Sequence, residues 1–200
     1  VRTRHIFGRQ STAIQSQKIP ALSTVQRQIV KECMDKAKDD IAERIYRRIF
    51  ERRSDFRKFI LALPDKQRWA LTDSLHNYLK SAVNQIKDGS AVRKISEDFG
   101  AFHVQYRSFG FRPDFFVSTA DAVTTEFVLL DAAVHQASDT LCAWSTLTGF
   151  MFSSVRDGYY QEQRQIRKAS QCYGKSGKLS FRTSSDQNHQ NANNFDKRGR

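Results

Sequence analysis

Proline occurs three times in the 200 residues, at Pro20, Pro64 and Pro113, and each stands where an apolar repeat of helical period is about to begin. Proline suits the first turn of a helix and breaks its interior, so this placement reads as punctuation between long helices. With only nine glycines beside them, the breakers are too sparse for an all-β chain that turns every ~8–12 residues. No apolar run approaches the ~20 residues that cross a bilayer. A hydrophobic content of 39% with 27% charged residues supports one packed domain with tails, and the chain is predicted to be all-α.

The helices can be read from their faces. After Pro20, Ser23 or Thr24 caps a helix with Val25, Ile29 and Cys33 on one side. Asp39 and Asp40 open a second, where Ile41, Ile45 and Ile49 form the apolar stripe, Tyr46 and Phe50 flank it, and Arg44, Arg47, Arg48 and Arg52 face water. Ser54 to Leu63 reads as a shorter, irregular segment with Phe56, Phe59, Ile60 and Leu61, closed by a turn at Pro64. A third long helix runs from about Lys66 to Ile86, with Leu71, Leu75, Tyr78, Leu79, Ala82 and Ile86 inward and Asp88-Gly89 as its stop. A short helix from Val92 to about Tyr106 carries Ile95, Phe99 and Phe102 beside His103, followed by a turn through Gly110 and Pro113. The last two helices run from Asp114 to about His135, with Phe116, Val123, Phe127, Leu130 and Val134 inward, and from Ser138 to about Arg164, with Leu141, Trp144, Leu147, Met151 and Val155 inward.

The net charge of +12 is uneven: residues 1–20 carry +4, residues 162–200 carry +6, and residues 21–161 only +2. A nearly balanced core with basic flanks argues for solvated arms able to touch an anionic membrane surface or RNA, and against a folded face that reads nucleic-acid bases. The expected organisation is a basic N-terminal extension at 1–20, a helical domain at 21–164, and a polar tail at 165–200 whose composition from Gly174 onward predicts disorder. Cys33, Cys142 and Cys172 are odd in number and lack paired spacing, which implies neither a zinc site nor a disulfide framework. The chain opens Val1-Arg2-Thr3-Arg4 without an apolar signal core, so the cytoplasm, with peripheral membrane contact through the tails, is the expected location. No Ser/His/Asp or paired-carboxylate arrangement can be assembled, and a binding protein rather than an enzyme is expected.

The stretch from His103 through Phe111-Arg112-Pro113-Asp114-Phe115-Phe116 resembles the globin family, in which a proximal histidine near the end of a short helix precedes a turn, a proline and a long helix. Other landmarks follow in the family's order. Glu32-Cys33-Met34 looks like the end of the first globin helix, with Met34 where many members carry Trp, and Arg48-Ile49-Phe50-Glu51 looks like the second helix approaching the heme. Ala143-Trp144 with Arg156-Asp157-Gly158-Tyr159 resembles the last helix of nematode-type globins, and the resemblance covers about residues 22–160. It implies a three-over-three helical sandwich around a heme pocket, heme b (iron protoporphyrin IX) as cofactor, and reversible binding of O₂ or another diatomic gas. A second copy of the chain is a further partner to be considered.

On that resemblance His103 is the axial iron ligand, and a group one turn back, the Phe99 carbonyl, is the expected holder of its other ring nitrogen. Phe59 matches the aromatic wedged against the porphyrin, with Ile60 as competitor; Phe111 matches the large apolar residue below the ring, and Phe116 the family's aromatic at the start of the next helix. Tyr46, four residues before Phe50, is placed to donate a hydrogen bond to bound oxygen. On the distal side the inward set, with Leu75 and Leu79 lining the pocket, puts Ser74 at the heme-facing position, 29 residues before His103. His76, 27 residues before His103, is the alternative as a sixth ligand. In that register, however, it is turned roughly 200° from Ser74 toward solvent. Turning it inward would also bring Lys80 toward an apolar pocket, at a cost in desolvation. Three readings follow: a five-coordinate gas-binding globin, a bis-histidyl His76/His103 globin for redox sensing or electron transfer, and a heme-free interaction module in which His103 is part of the core. His135, near a helix end, reads as a cap.

Overall fold

The computed structural model describes residues 22–176, and these are all-helical, with no strand among them. The elements are α1 (Thr24–Lys36), α2 (Ile41–Arg52), α3 (Ser54–Ala62), α4 (Asp65–Asn84), α5 (Gly89–Phe102), a 3-10 turn (His103–Phe109), α6 (Phe115–Asp131) and α7 (Ala137–Ser176). No helix of the described residues is long and apolar enough to cross a membrane. The chain divides into two compact units after Glu162, and the core and site described below belong to the first.

Local chemistry accounts for most helix starts. Ser23 and Gln26 form a reciprocal capping box at α1, with bonds of 3.1 and 2.9 Å. Asp88 accepts from the backbone N–H groups of Ser90 and Ala91 at 2.9 and 3.1 Å, so Asp88-Gly89, expected as a stop, is the start of α5. Ser54 to Ala62 forms a regular nine-residue helix rather than an irregular segment, because Phe56 and Phe59 fall one turn apart and both are buried. Val25, Val134 and Leu141 are exposed rather than inward, each lying at or beyond a helix end where a neighbour no longer covers it. The last helix runs past Arg164 to Ser176, so residues 165–176 of the expected tail are helical; the run Gln161-Glu162-Gln163-Arg164-Gln165-Ile166-Arg167-Lys168 consists almost wholly of strong helix formers. The expected extension 1–20 and residues 177–200 lie outside the described residues.

Within the first unit, α2 packs most extensively on α6 and also meets α3 and α4, while α4 lies against α5 and α1. The α2 stripe Ile41, Ile45 and Ile49 is buried in this core. Glu126 of α6, itself buried, pairs with Arg44 at 2.8 Å and with Arg48. From α7, Trp144 stacks on Phe127 of α6 with ring centroids 3.8 Å apart. Gly100 of α5 faces Val155 and Gly158 of α7 faces Glu97, so these two helices meet backbone to backbone.

Asp131 ends α6 as a fully buried carboxylate held by Thr140 Oγ1 at 2.6 Å, His135 Nδ1 at 2.9 Å and Lys36 Nζ at 3.1 Å. Burial alone would raise its carboxyl, but the bonds from Thr140, Lys36 and His135 outweigh that and hold it below its ordinary value. Asp131→Ala is therefore expected to lower unfolding free energy by about 2 kcal/mol, since Lys36 is exposed enough to recover water when its partner goes. Urea unfolding at neutral pH measures this, and a loss under about 0.5 kcal/mol would mean the cluster adds little net stability. His135 is thus more than a helix cap: it bridges Asp131 to Glu32 of α1, whose Oε2 lies 3.4 Å from Nε2.

Candidate cofactor site

The junction of α5 with the 3-10 turn carries the site. His103 follows Phe99 by four residues, so its side chain lies over the last turn of α5, and its Nδ1 is 2.7 Å from the Phe99 carbonyl oxygen. A carbonyl only accepts, so Nδ1 carries the proton and Nε2 keeps its lone pair. Among the described residues no hydrogen bond to Nε2 is formed. The ring is 2% exposed, and burial pushes its pKa down to about 4 despite the opposing bond from Phe99, so at neutral pH it is an uncharged imidazole.

Aromatic rings surround it: the centroids of Phe99, Phe111, Phe116, Phe102 and Tyr106 lie 4.4, 5.1, 5.2, 5.5 and 5.9 Å from that of His103. Phe111 reaches this position because Gly110 takes the left-handed conformation, φ 96°, that reverses the chain after the 3-10 turn. Phe116 is the second residue of α6 and is backed by Tyr159 of α7 at 5.7 Å.

Phe59 lies edge-on to Phe111 at 5.5 Å and to Tyr106 at 6.3 Å, which puts it on the same side of the core as the rings around His103. Ile60, about 100° further round α3, is half-buried and packs against the same core.

On α4 the inward residues are Leu71, Leu75, Tyr78, Leu79, Ala82 and Val83. Ser74 is half-buried, and its hydroxyl donates to the Leu71 carbonyl at 2.8 Å, within its own helix. His76 is half-exposed, and its Nδ1 lies 3.3 Å from the Asp39 carbonyl just before α2, rather than at His103. The face of α4 that enters the core offers Leu71, Leu75 and Leu79, while Trp69 of the same helix stays exposed. Tyr46 is buried beside Phe56, with ring centroids 5.8 Å apart, and burial pushes its phenol well above its usual value, so it is available only as a neutral donor.

One supporting group was not legible beforehand. Arg53, between α2 and α3, reaches Asp55 at 2.6 Å, Asp114 at 2.7 Å and Ser118 at 2.8 Å, with its guanidinium 5.0 Å over the Phe115 ring. It holds the Asp55 carboxyl down to about 2 and clamps the start of α3 to the start of α6, which sets Phe59 against Phe115 and Phe111. Four-residue spacing exposes helix faces, but a pairing across some sixty positions has no local signal.

Chemically, the site is a single neutral imidazole in an aromatic shell. No group of three His, Cys, Asp or Glu side chains suited to a metal ion forms among the described residues. A lone imidazole suits a metal whose remaining donors travel with it, and rings rather than charges suit a flat, largely apolar carrier. The residues present fit a heme.

An uncharacterized protein of Caenorhabditis elegans is 32% identical to this chain over 152 residues, 76% of this chain and 46% of that protein. The chain thus spans about half the length of the curated relative it matches. No protein-family model matches the sequence, and no solved structure matches the fold.

Proposed function

We propose that the helical core is a globin-like, three-over-three domain that holds heme b through His103 and binds O₂ or another diatomic gas at an otherwise open iron position. The observation that carries this reading is the His103 geometry: Nδ1 tied to the Phe99 carbonyl at 2.7 Å, Nε2 free, and the ring kept neutral by burial. When bound, heme supplies the iron at which gas binding takes place; the protein supplies the rest. His103 presents its lone pair in a fixed direction, Phe111 and Phe116 pack against its ring, and Leu71, Leu75 and Leu79 keep the inward surface of α4 apolar. Tyr46 adds a buried phenol donor. The domain is a gas carrier or sensor rather than an enzyme.

Of the readings with iron, the five-coordinate one is favoured over the His76/His103 pair, because the His76 ring is engaged at Asp39 and Ser74 at Leu71. The test is optical. The full chain loaded with hemin and reduced with dithionite is expected to give a broad high-spin spectrum that shifts at once with CO. His76→Ala is expected to leave that spectrum unchanged, and His103→Ala to lose retention of hemin. Sharp split bands insensitive to CO would overturn the five-coordinate reading. Failure of the wild-type chain to retain hemin would overturn the cofactor and leave His103 as a core residue.

A further inference from the structure

Tyr78 of α4 is buried, and its ring lies parallel to that of Phe99 on α5, with centroids 4.1 Å apart and 8° between planes. Its hydroxyl donates to Ser96 Oγ at 2.9 Å, and Ser96 in turn donates to the Val92 carbonyl at 2.7 Å, one turn earlier in α5. Phe152 of α7 closes on the Tyr78 ring from the side, with centroids 6.1 Å apart. Tyr78 thus grips α5 at two successive turns, through a ring and through a hydrogen bond.

Phe99 is the residue that touches His103 twice. Its carbonyl accepts the Nδ1 proton at 2.7 Å, and its ring packs against the imidazole with centroids 4.4 Å apart. Rotating α5 about its axis would move that carbonyl and re-aim Nε2, and Tyr78 with Ser96 is the contact that opposes the rotation. We propose that Tyr78 is a positioning residue for His103, acting through Phe99 and Ser96 to set the direction of the imidazole lone pair. This deepens the heme reading and rests on it for its functional consequence, while the mechanical link to His103 exists in the heme-free chain.

The test begins without heme. In the full-length protein, the solvent-exchange rate of the His103 Nδ1 proton is read from ¹⁵N-edited imidazole spectra. Tyr78→Phe, which keeps the stacked ring, and Ser96→Ala are each expected to speed exchange about fivefold to tenfold, the scale of one buried hydrogen bond. The double variant is expected to match Ser96→Ala, because Ser96→Ala already removes the bond that Tyr78→Phe removes, together with the Ser96 bond to Val92. Tyr78→Leu, losing ring and hydroxyl together, is expected to speed exchange about a hundredfold, and Tyr78→Phe to rescue most of that. In the hemin-loaded ferrous protein, the iron–histidine stretching frequency is expected to shift in Tyr78→Leu and to be nearly restored in Tyr78→Phe; a general loss of stability would not move it.

Unchanged Nδ1 exchange in a folded Tyr78→Leu variant overturns the proposal. Should that variant not fold, Ser96→Ala decides, and unchanged exchange there overturns it equally. If the wild-type chain takes up no hemin while the exchange rates change as expected, the heme reading fails and the positioning of His103 by Tyr78 stands.

Discussion

Gly158→Ala is expected to lower unfolding free energy by about 3 kcal/mol or more, with a fall of about 6–12 °C in melting temperature. A methyl group on Gly158 would meet the backbone of Glu97, and one on Gly100 would meet the carbonyl of Val155 while standing 2.9 Å from the Tyr159 nitrogen. These obstacles are helix backbone, which cannot rotate away as a side chain can. α5 and α7 would have to separate, loosening Phe99 and Tyr159 on either side of the site. Intrinsic helix propensity pushes the other way, since alanine is better than glycine in a helix interior by about 1 kcal/mol. Gly149 on the same α7 has open space around it, so Gly149→Ala is expected to stabilise by about that amount. Thermal melts of Gly100→Ala, Gly158→Ala and Gly149→Ala separate the two effects, and a gain in stability at Gly158 would show that the crossing yields.

Acid is expected to unfold the heme-free protein partly through His103. Its folded pKa of about 4 lies below the ordinary value of 6.5, so between those pH values the unfolded chain binds the proton more readily than the native one. Stability from keeping this ring neutral is therefore fully present above about pH 6.5 and is lost as pH falls toward 4, a total of about 3 kcal/mol. Asp131 and Asp55, whose carboxyls are held down by their partners, also cost stability on acidification, but through and below the ordinary carboxylate range. Urea midpoints at pH 7, 6, 5 and 4 for wild type and His103→Leu isolate the histidine: the variant is expected to lack the slope between 6.5 and 4. Equal slopes in the two proteins would mean that the imidazole reaches water in the native state.

Much of the architecture follows from short-range pattern. The apolar steps of α2, α4 and α6, the capping box at Ser23 and Gln26, and the breaks at Pro64 and Gly110 belong to single turns of helix, so one chain segment determines each of them. The hydrogen bond from His103 to Phe99 is legible for the same reason: a separation of four residues is a contact within one helix. What a segment does not contain is its rotation against distant partners. That rotation turned His76 to Asp39 and set Phe59 beside Phe111.

The Arg53 clamp to Asp114 and the meetings of Gly100 with Val155 and of Gly158 with Glu97 likewise involve residues some sixty positions apart. By itself the sequence determined most of the residues that turn inward on each helix, with Val25, Val134 and Leu141 as exceptions at the helix ends, and that a buried histidine follows Phe99 by one turn. The tertiary structure alone decided which inward residues meet around that histidine, because the rotation of each helix is chosen jointly by all the helices that close on it.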